Sequence, residues 1–134
     1  MKYESDMQSA LSGWLKDQEE QGNYFDINYE CKFSKGKPIN FVHDFQPQQI
    51  PFLRKGKHGC VRWKFSDASP GLKMFDGGQM CFKPGFVIIL FYKPRQPKIM
   101  HWIDVDDWIT LQETCGRKSA TEEMIEKIST KYIL

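Results

Sequence analysis

The chain lacks any apolar run long enough to cross a bilayer: its longest, Phe86 to Tyr92, covers seven residues, whereas a spanning helix needs about 20. Met1 to Asp6 (Met-Lys-Tyr-Glu-Ser-Asp) holds no apolar signal core, so secretion is not expected. The four cysteines, Cys31, Cys60, Cys81 and Cys115, form no CxxC pair. Reduced thiols in a cytoplasmic protein are therefore expected. Histidine is scarce, and His43, His58 and His101 lack the spacing of a zinc site shared with those cysteines. Charge of either sign is not in excess: 19 basic and 17 acidic residues leave a net +2. No overall field points to a nucleic-acid partner, so any basic surface has to be local. Repeats, linkers and low-complexity segments are also missing. One domain over residues 1–134 is the expectation, long enough for a full core.

What the chain does have is aromatic side chains, 14% of residues with ten Phe and four Trp, and clear periodicities. Met7, Ala10, Leu11, Trp14 and Leu15 form one helical stripe. Ser5 or Asp6 can cap its start, and Gly22 offers a left-handed stop. Glu4, just ahead, reads as a surface acid or an auxiliary metal ligand. Ile39, Phe41 and Phe45 read as packing residues. A helix is expected from about Pro47 to Lys55, although Pro51 would cost an interior turn one hydrogen bond. Cys60 to Ser66 alternates, with Val61, Trp63 and Phe65 as its apolar row. Asp67 to Gly78 reads as a loop. Phe86 to Tyr92 is apolar throughout, as expected of a central strand covered on both faces. Lys98 to Ile103 reads as a strand, with Asp104 or Asp106 capping a helix through Trp108 to Glu113. Ser119-x-x-Glu122 resembles a capping box, with Met124, Ile125, Ile128 and Tyr132 striping a last helix. The order α-β-α-β-β-β-α-α implies an α/β fold, a mixed β-sheet flanked by helices.

Tyr24 to Phe33 carries the chemistry. It alternates strictly: Phe25, Ile27, Tyr29, Cys31 and Phe33 face one way, and Tyr24, Asp26, Asn28, Glu30 and Lys32 the other. A carboxylate and an ammonium then lie two residues apart on one exposed strand face. Both can reach a shared metal and water.

Glu30-Cys31-Lys32, followed by a basic turn and a helix with Gln49, Ile50 and Leu53, resembles the PD-(D/E)xK nuclease superfamily, in particular its Holliday-junction resolvases. Lys64-Phe65-Ser66-Asp67, Met74-Phe75-Asp76, the strand Phe86 to Tyr92, Ile103 to Trp108 and Lys118 to Glu122 resemble a phage and prophage branch of that superfamily. So does Trp14-Leu15-Lys16. The resemblance implies a restriction-endonuclease-like core and magnesium- or manganese-dependent hydrolysis of DNA, with branched DNA as substrate. It also implies a two-fold dimer, with two equivalent strands to cut, in the cytoplasm of a bacterial or phage-infected cell. In the family, Glu30, Lys32 and Gln49 would line the active site. No Pro-Asp precedes Glu30, so the further metal aspartate is expected to be Asp76 or, second, Asp17. Asp26 would lie about 13 Å from Glu30 along the strand, too far for one ion. Asp76, Glu30 and the Cys31 carbonyl would hold the ion. Lys32 would orient or deprotonate its water, and Gln49 would bond the water or phosphate. Lys35, Lys37, Arg54, Lys55, Lys57, Arg62 and Lys64 are the candidate DNA contacts. A non-catalytic DNA-binding module on the same fold, and an ordinary interaction protein, stay open as alternatives.

Overall fold

Twelve elements follow one another in the computed structural model, which describes residues 1–64 and 77–134. They are α1 (Glu4–Glu20), β1 (Asn28–Ser34), β2 (Ile39–Asn40), α2 (Gln49–His58), β3 (Cys60–Lys64), β4 (Gly77–Cys81), β5 (Gly85–Phe91), β6 (Ile99–Asp104), α3 (Val105–Thr114), β7 (Ser119–Ala120), α4 (Glu122–Ile128) and β8 (Thr130–Ile133). The main sheet runs β1-β5-β6-β8. Its β1–β5 pair is parallel and the other two pairs are antiparallel, so the sheet is mixed, as the order of elements suggests. Two short antiparallel pairs, β2–β7 and β3–β4, stand apart from it.

The inner strand β5 is apolar throughout because both of its faces are covered. Ile88 and Leu90 pack with Met7, Leu11, Cys31, Met100 and Trp102 beneath α1. Val87, Ile89 and Phe91 pack on the opposite side with Leu53 of α2, Trp108 of α3 and Ile125 of α4. The α1 side also carries the aromatic excess: Trp14, Phe25, Trp102 and Tyr132 meet with ring centroids 4.9–6.0 Å apart. Such pairs contribute beyond the area they bury. Helix α1 follows its predicted stripe and stops at Gly22, whose φ of +87° suits a residue without Cβ. Its start is fixed by Asp6, which accepts from the backbone N–H of Lys2 and Tyr3.

Several expectations are corrected. Of Tyr24 to Phe33, only the second half is strand; Phe25 and Ile27 still pack against the α1-side core. Helix α2 starts two residues later than predicted, which places Pro51 in its first turn, where no intrahelical N–H bond is lost. The last helix is capped by Thr121, whose hydroxyl accepts from Met124 N–H, while Ser119 belongs to β7. It ends at Ile128, and Tyr132 lies on β8, packed under α1. Gly78 is not part of a loop; it lies in β4 opposite Trp63, whose ring leaves no room for a Cβ there. Cys60 and Cys81, expected as free thiols, face each other across β3–β4 and form a disulfide. No helix among the described residues is long and apolar enough to cross a membrane.

Candidate functional site

β1 is an edge strand, and its alternation decides which groups look where. Glu30, Lys32 and Ser34 pair with Val87, Ile89 and Phe91 and share their face, toward α2. Cys31 pairs with Ile88 and turns its thiol toward α1. Burial first, then the charges of Glu30 and Glu4, push that thiol up to about 12, which keeps it protonated. Asn28 N–H donates to Pro84 O, and Ser34 O accepts from Tyr92 N–H. Even-numbered residues therefore carry the ladder to β5, and the Cys31 carbonyl points to the side of β1 that pairs with no other strand among the described residues.

Glu30, Lys32 and Gln49 meet. Gln49, in the first turn of α2, donates from Nε2 to Glu30 Oε1 at 2.9 Å. Its Oε1 accepts from Lys32 Nζ at 3.4 Å and from Gln46 N–H at 3.0 Å. One amide thus ties both charged residues to a helix start 17 and 19 residues away. Lys32 Nζ lies 3.6 Å from Glu30 Oε1 and 3.8 Å from Glu4 Oε1, and 4.8 Å from the centre of the Phe45 ring. The exposed strand face expected for this pair is corrected here: Lys32 is 9% exposed, covered by Phe45 and the start of α1. Burial raises the Glu30 pKa above its ordinary value, and the nearby Lys32 charge offsets only part of that rise.

An open cleft of about 590 Å³ adjoins the cluster. Glu4, Lys32, Lys35, Lys37, Tyr3 and Asp44 are among its walls. Ser34 Oγ shapes the basic turn, accepting from Gly36 and Lys37 N–H and donating to Lys37 O.

The other predicted residues do not join this cluster. Asp76 lies outside the described residues, and so does the side chain of Lys64. Asp17 is exposed on α1, thirteen residues beyond Glu4 and hence about 20 Å farther along the helix axis. Asp26 pairs with Lys83. Arg54 and Lys55 line a separate cleft with His58 and Ile109. Arg62 donates from Nε to Gln79 Oε1 at 2.6 Å on the β3–β4 pair. Lys57 is engaged by Asp104 and Asp106 at 2.6–3.0 Å. The six basic residues whose side chains are described therefore form no single patch, and Lys35 and Lys37 are the two at the cleft.

The groups near Glu30 that could ligate a metal are oxygens, its own carboxylate, that of Glu4 across Lys32 and the edge carbonyl of Cys31, while Gln49 turns its Nε2 to Glu30. A desolvated carboxylate with one ammonium beyond hydrogen-bond distance suits a hard dication such as magnesium. A second group has ligand geometry. A ring nitrogen of His101 and one oxygen each of Glu122 and Glu126 lie within 4.8 Å of one another, so these three residues can hold a metal ion. No sequence spacing announced them, because His101 comes from β6 and the glutamates from α4. Only the i, i+4 placement of the two glutamates is visible in the chain.

The chain matches no protein-family model, no curated protein and no solved structure.

Proposed function

We propose that this protein is a metal-dependent endodeoxyribonuclease of the PD-(D/E)xK type with a restriction-endonuclease-like core, acting on branched DNA as a homodimeric Holliday-junction resolvase. The observation that carries the reading is the meeting of Glu30, Lys32 and Gln49 in one bonded cluster, with Glu4 above it and Lys35 and Lys37 of the following turn beside it. What favours the reading over a structural brace is the desolvated Glu30 carboxylate beside an open cleft.

Glu30, Glu4 and the Cys31 carbonyl would hold magnesium or manganese, with Asp76 as the further ligand. The bound ion would supply a water of lowered pKa and charge neutralisation on the scissile phosphate. Lys32, held against Phe45, presents its ammonium to a phosphate oxygen or to the attacking water. Gln49 fixes the Glu30 carboxylate and keeps an amide within reach of the same water. Lys35 and Lys37 contact flanking phosphates along the cleft. Arg54, Lys55, Arg62 and Lys64 would meet more distant ones, if the duplex wraps toward α2 and the β3–β4 pair.

The test is a cleavage assay with magnesium on four-way junctions beside linear duplexes of the same sequence. Paired cuts in the junction arms, absent on the duplex, are expected. Binding of both DNAs with no cut in either would reassign the chain to the non-catalytic DNA-binding reading.

A further inference from the structure

His101, Glu122 and Glu126 lie on the same face of the sheet as Lys32. The cross-strand row Lys32, Ile89, His101, Lys131 runs through all four strands. Two strand spacings, about 10 Å, separate His101 from Lys32 across Ile89. The imidazole is 3% exposed, deep for a group with two polar nitrogens. Nδ1 pairs with Ser129 Oγ at 3.1 Å, and the ring packs edge-on to Phe91. With Nδ1 on Ser129, Nε2 is the ring nitrogen left to take a metal ion. Glu122 and Glu126 stand one turn apart on α4, and their carboxylates close on the same point.

We infer that His101, Glu122 and Glu126 form a zinc site, separate from the Glu30 cluster, which fastens α4 to the sheet. Zinc accepts one imidazole and two carboxylates at about 2.0–2.2 Å, with water completing the shell. The imidazole argues against magnesium, which prefers oxygen and keeps its waters. A ligating histidine donates its other ring N–H to an acceptor, which fixes its tautomer and orientation, and a serine oxygen can take that role. Ser129 supplies it. Two ammonium groups compete: Lys93 Nζ is 3.1 Å from Glu122 and Lys131 Nζ 3.7 Å from Glu126. Both pairs are substantially solvent-exposed, where ion pairs contribute little, so a dication can displace them. The ligand atoms, spread over 4.8 Å, need to close by about 1.5 Å to reach tetrahedral spacing. Glu126 is exposed and Glu122 half-buried on α4, and both have the side-chain freedom to make that movement.

The experiment is calorimetric titration of zinc chloride into the metal-stripped full chain, with cobalt(II) absorption as a spectroscopic check. One equivalent that persists in Glu30→Gln is expected, with a tetrahedral cobalt spectrum lacking thiolate charge-transfer bands. His101→Ala should weaken binding more than about tenfold, and Ser129→Ala by about tenfold. Because His101→Ala removes a core side chain, the paired Glu122→Gln and Glu126→Gln variant, altered only at the surface, serves as the second measurement and should also lose the ion. Glu30→Gln should bind zinc as before, so failure of the nuclease reading would leave this site standing. No zinc uptake, uptake unchanged in the glutamine variant, or a thiolate band from Cys31 or Cys115 would each overturn the site.

Discussion

Two lysines in this molecule sit between two carboxylates, and they differ in how well they are satisfied. Lys57 Nζ lies 2.8 and 3.0 Å from the two oxygens of Asp104 and 2.6 Å from Asp106, and His58 adds a 2.8 Å contact to Asp106. Burial works against the Lys57 charge, but the bonds from Asp104 and Asp106 outweigh it, so its pKa rises. The bond from Lys57, outweighing burial, holds Asp106 below its usual value. At Lys32 the acids stand off at 3.6 and 3.8 Å, beyond a good hydrogen bond, and the amide of Gln49 is interposed. There the carboxylate pKa goes up. One cluster is a closed brace between α2 and the start of α3. The other holds its charges farther apart beside a cleft, which is the arrangement the proposed site would use.

The widest separation between the two is expected in activity. Glu30→Gln should lower magnesium-dependent cleavage by about 100-fold or more while leaving DNA affinity unchanged or slightly raised, and Lys32→Met should lose turnover to a similar degree. Asp106→Asn should leave cleavage intact. Single-turnover cleavage with parallel binding assays checks this, and full activity in Glu30→Gln would erase the distinction.

Stability should show the reverse order. Asp106→Asn is expected to cost about 1 kcal/mol in denaturant unfolding at neutral pH. Glu30→Gln should leave the midpoint unchanged or higher. The sign follows from the shifts. Asp106, with a depressed folded pKa, contributes stability present above its ordinary value of 3.8 and lost as pH falls through the folded value. Glu30, with a raised folded pKa, contributes stability present below its ordinary 4.5 and lost as pH rises through the folded value. Unfolding curves from neutral pH to below 4 should therefore show the Asp106→Asn deficit shrinking with acid. A deficit that persists, or one larger in Glu30→Gln, would invert the assignment of brace and site.

The smallest effect sharpens the contrast in DNA contact. Lys35→Ala and Lys37→Ala, at the cleft, should each flatten the salt dependence of DNA binding by about one unit of slope. Lys55→Ala, on the other cleft, should change it less. Equal slopes for all three would mean that the cleft does not face the phosphates.

The sequence by itself determined what depends on local period and turn chemistry. The stripe Met7 to Leu15 made α1, and Gly22 ended it. The unbroken apolar run made β5 a doubly covered strand. The alternation around Glu30-Cys31-Lys32 put acid and base on one face and the thiol on the other. Asp104 did cap α3, accepting from Asp106 N–H. Tertiary structure decided everything that depends on what covers a face. Periodicity says which way Lys32 points, but only the approach of Phe45 and Glu4 buries it and only α2 brings Gln49 across to bond it. Tyr132 continued the helical stripe of Met124, Ile125 and Ile128 by spacing, yet β6 presented an edge whose hydrogen-bonding groups needed a partner, so Thr130 to Ile133 became β8. Cys60 and Cys81 became partners through strand register, and His101 met Glu122 and Glu126 because a helix packed over its strand. Contacts between residues far apart in the chain leave no periodic trace, so folding alone brings such groups together.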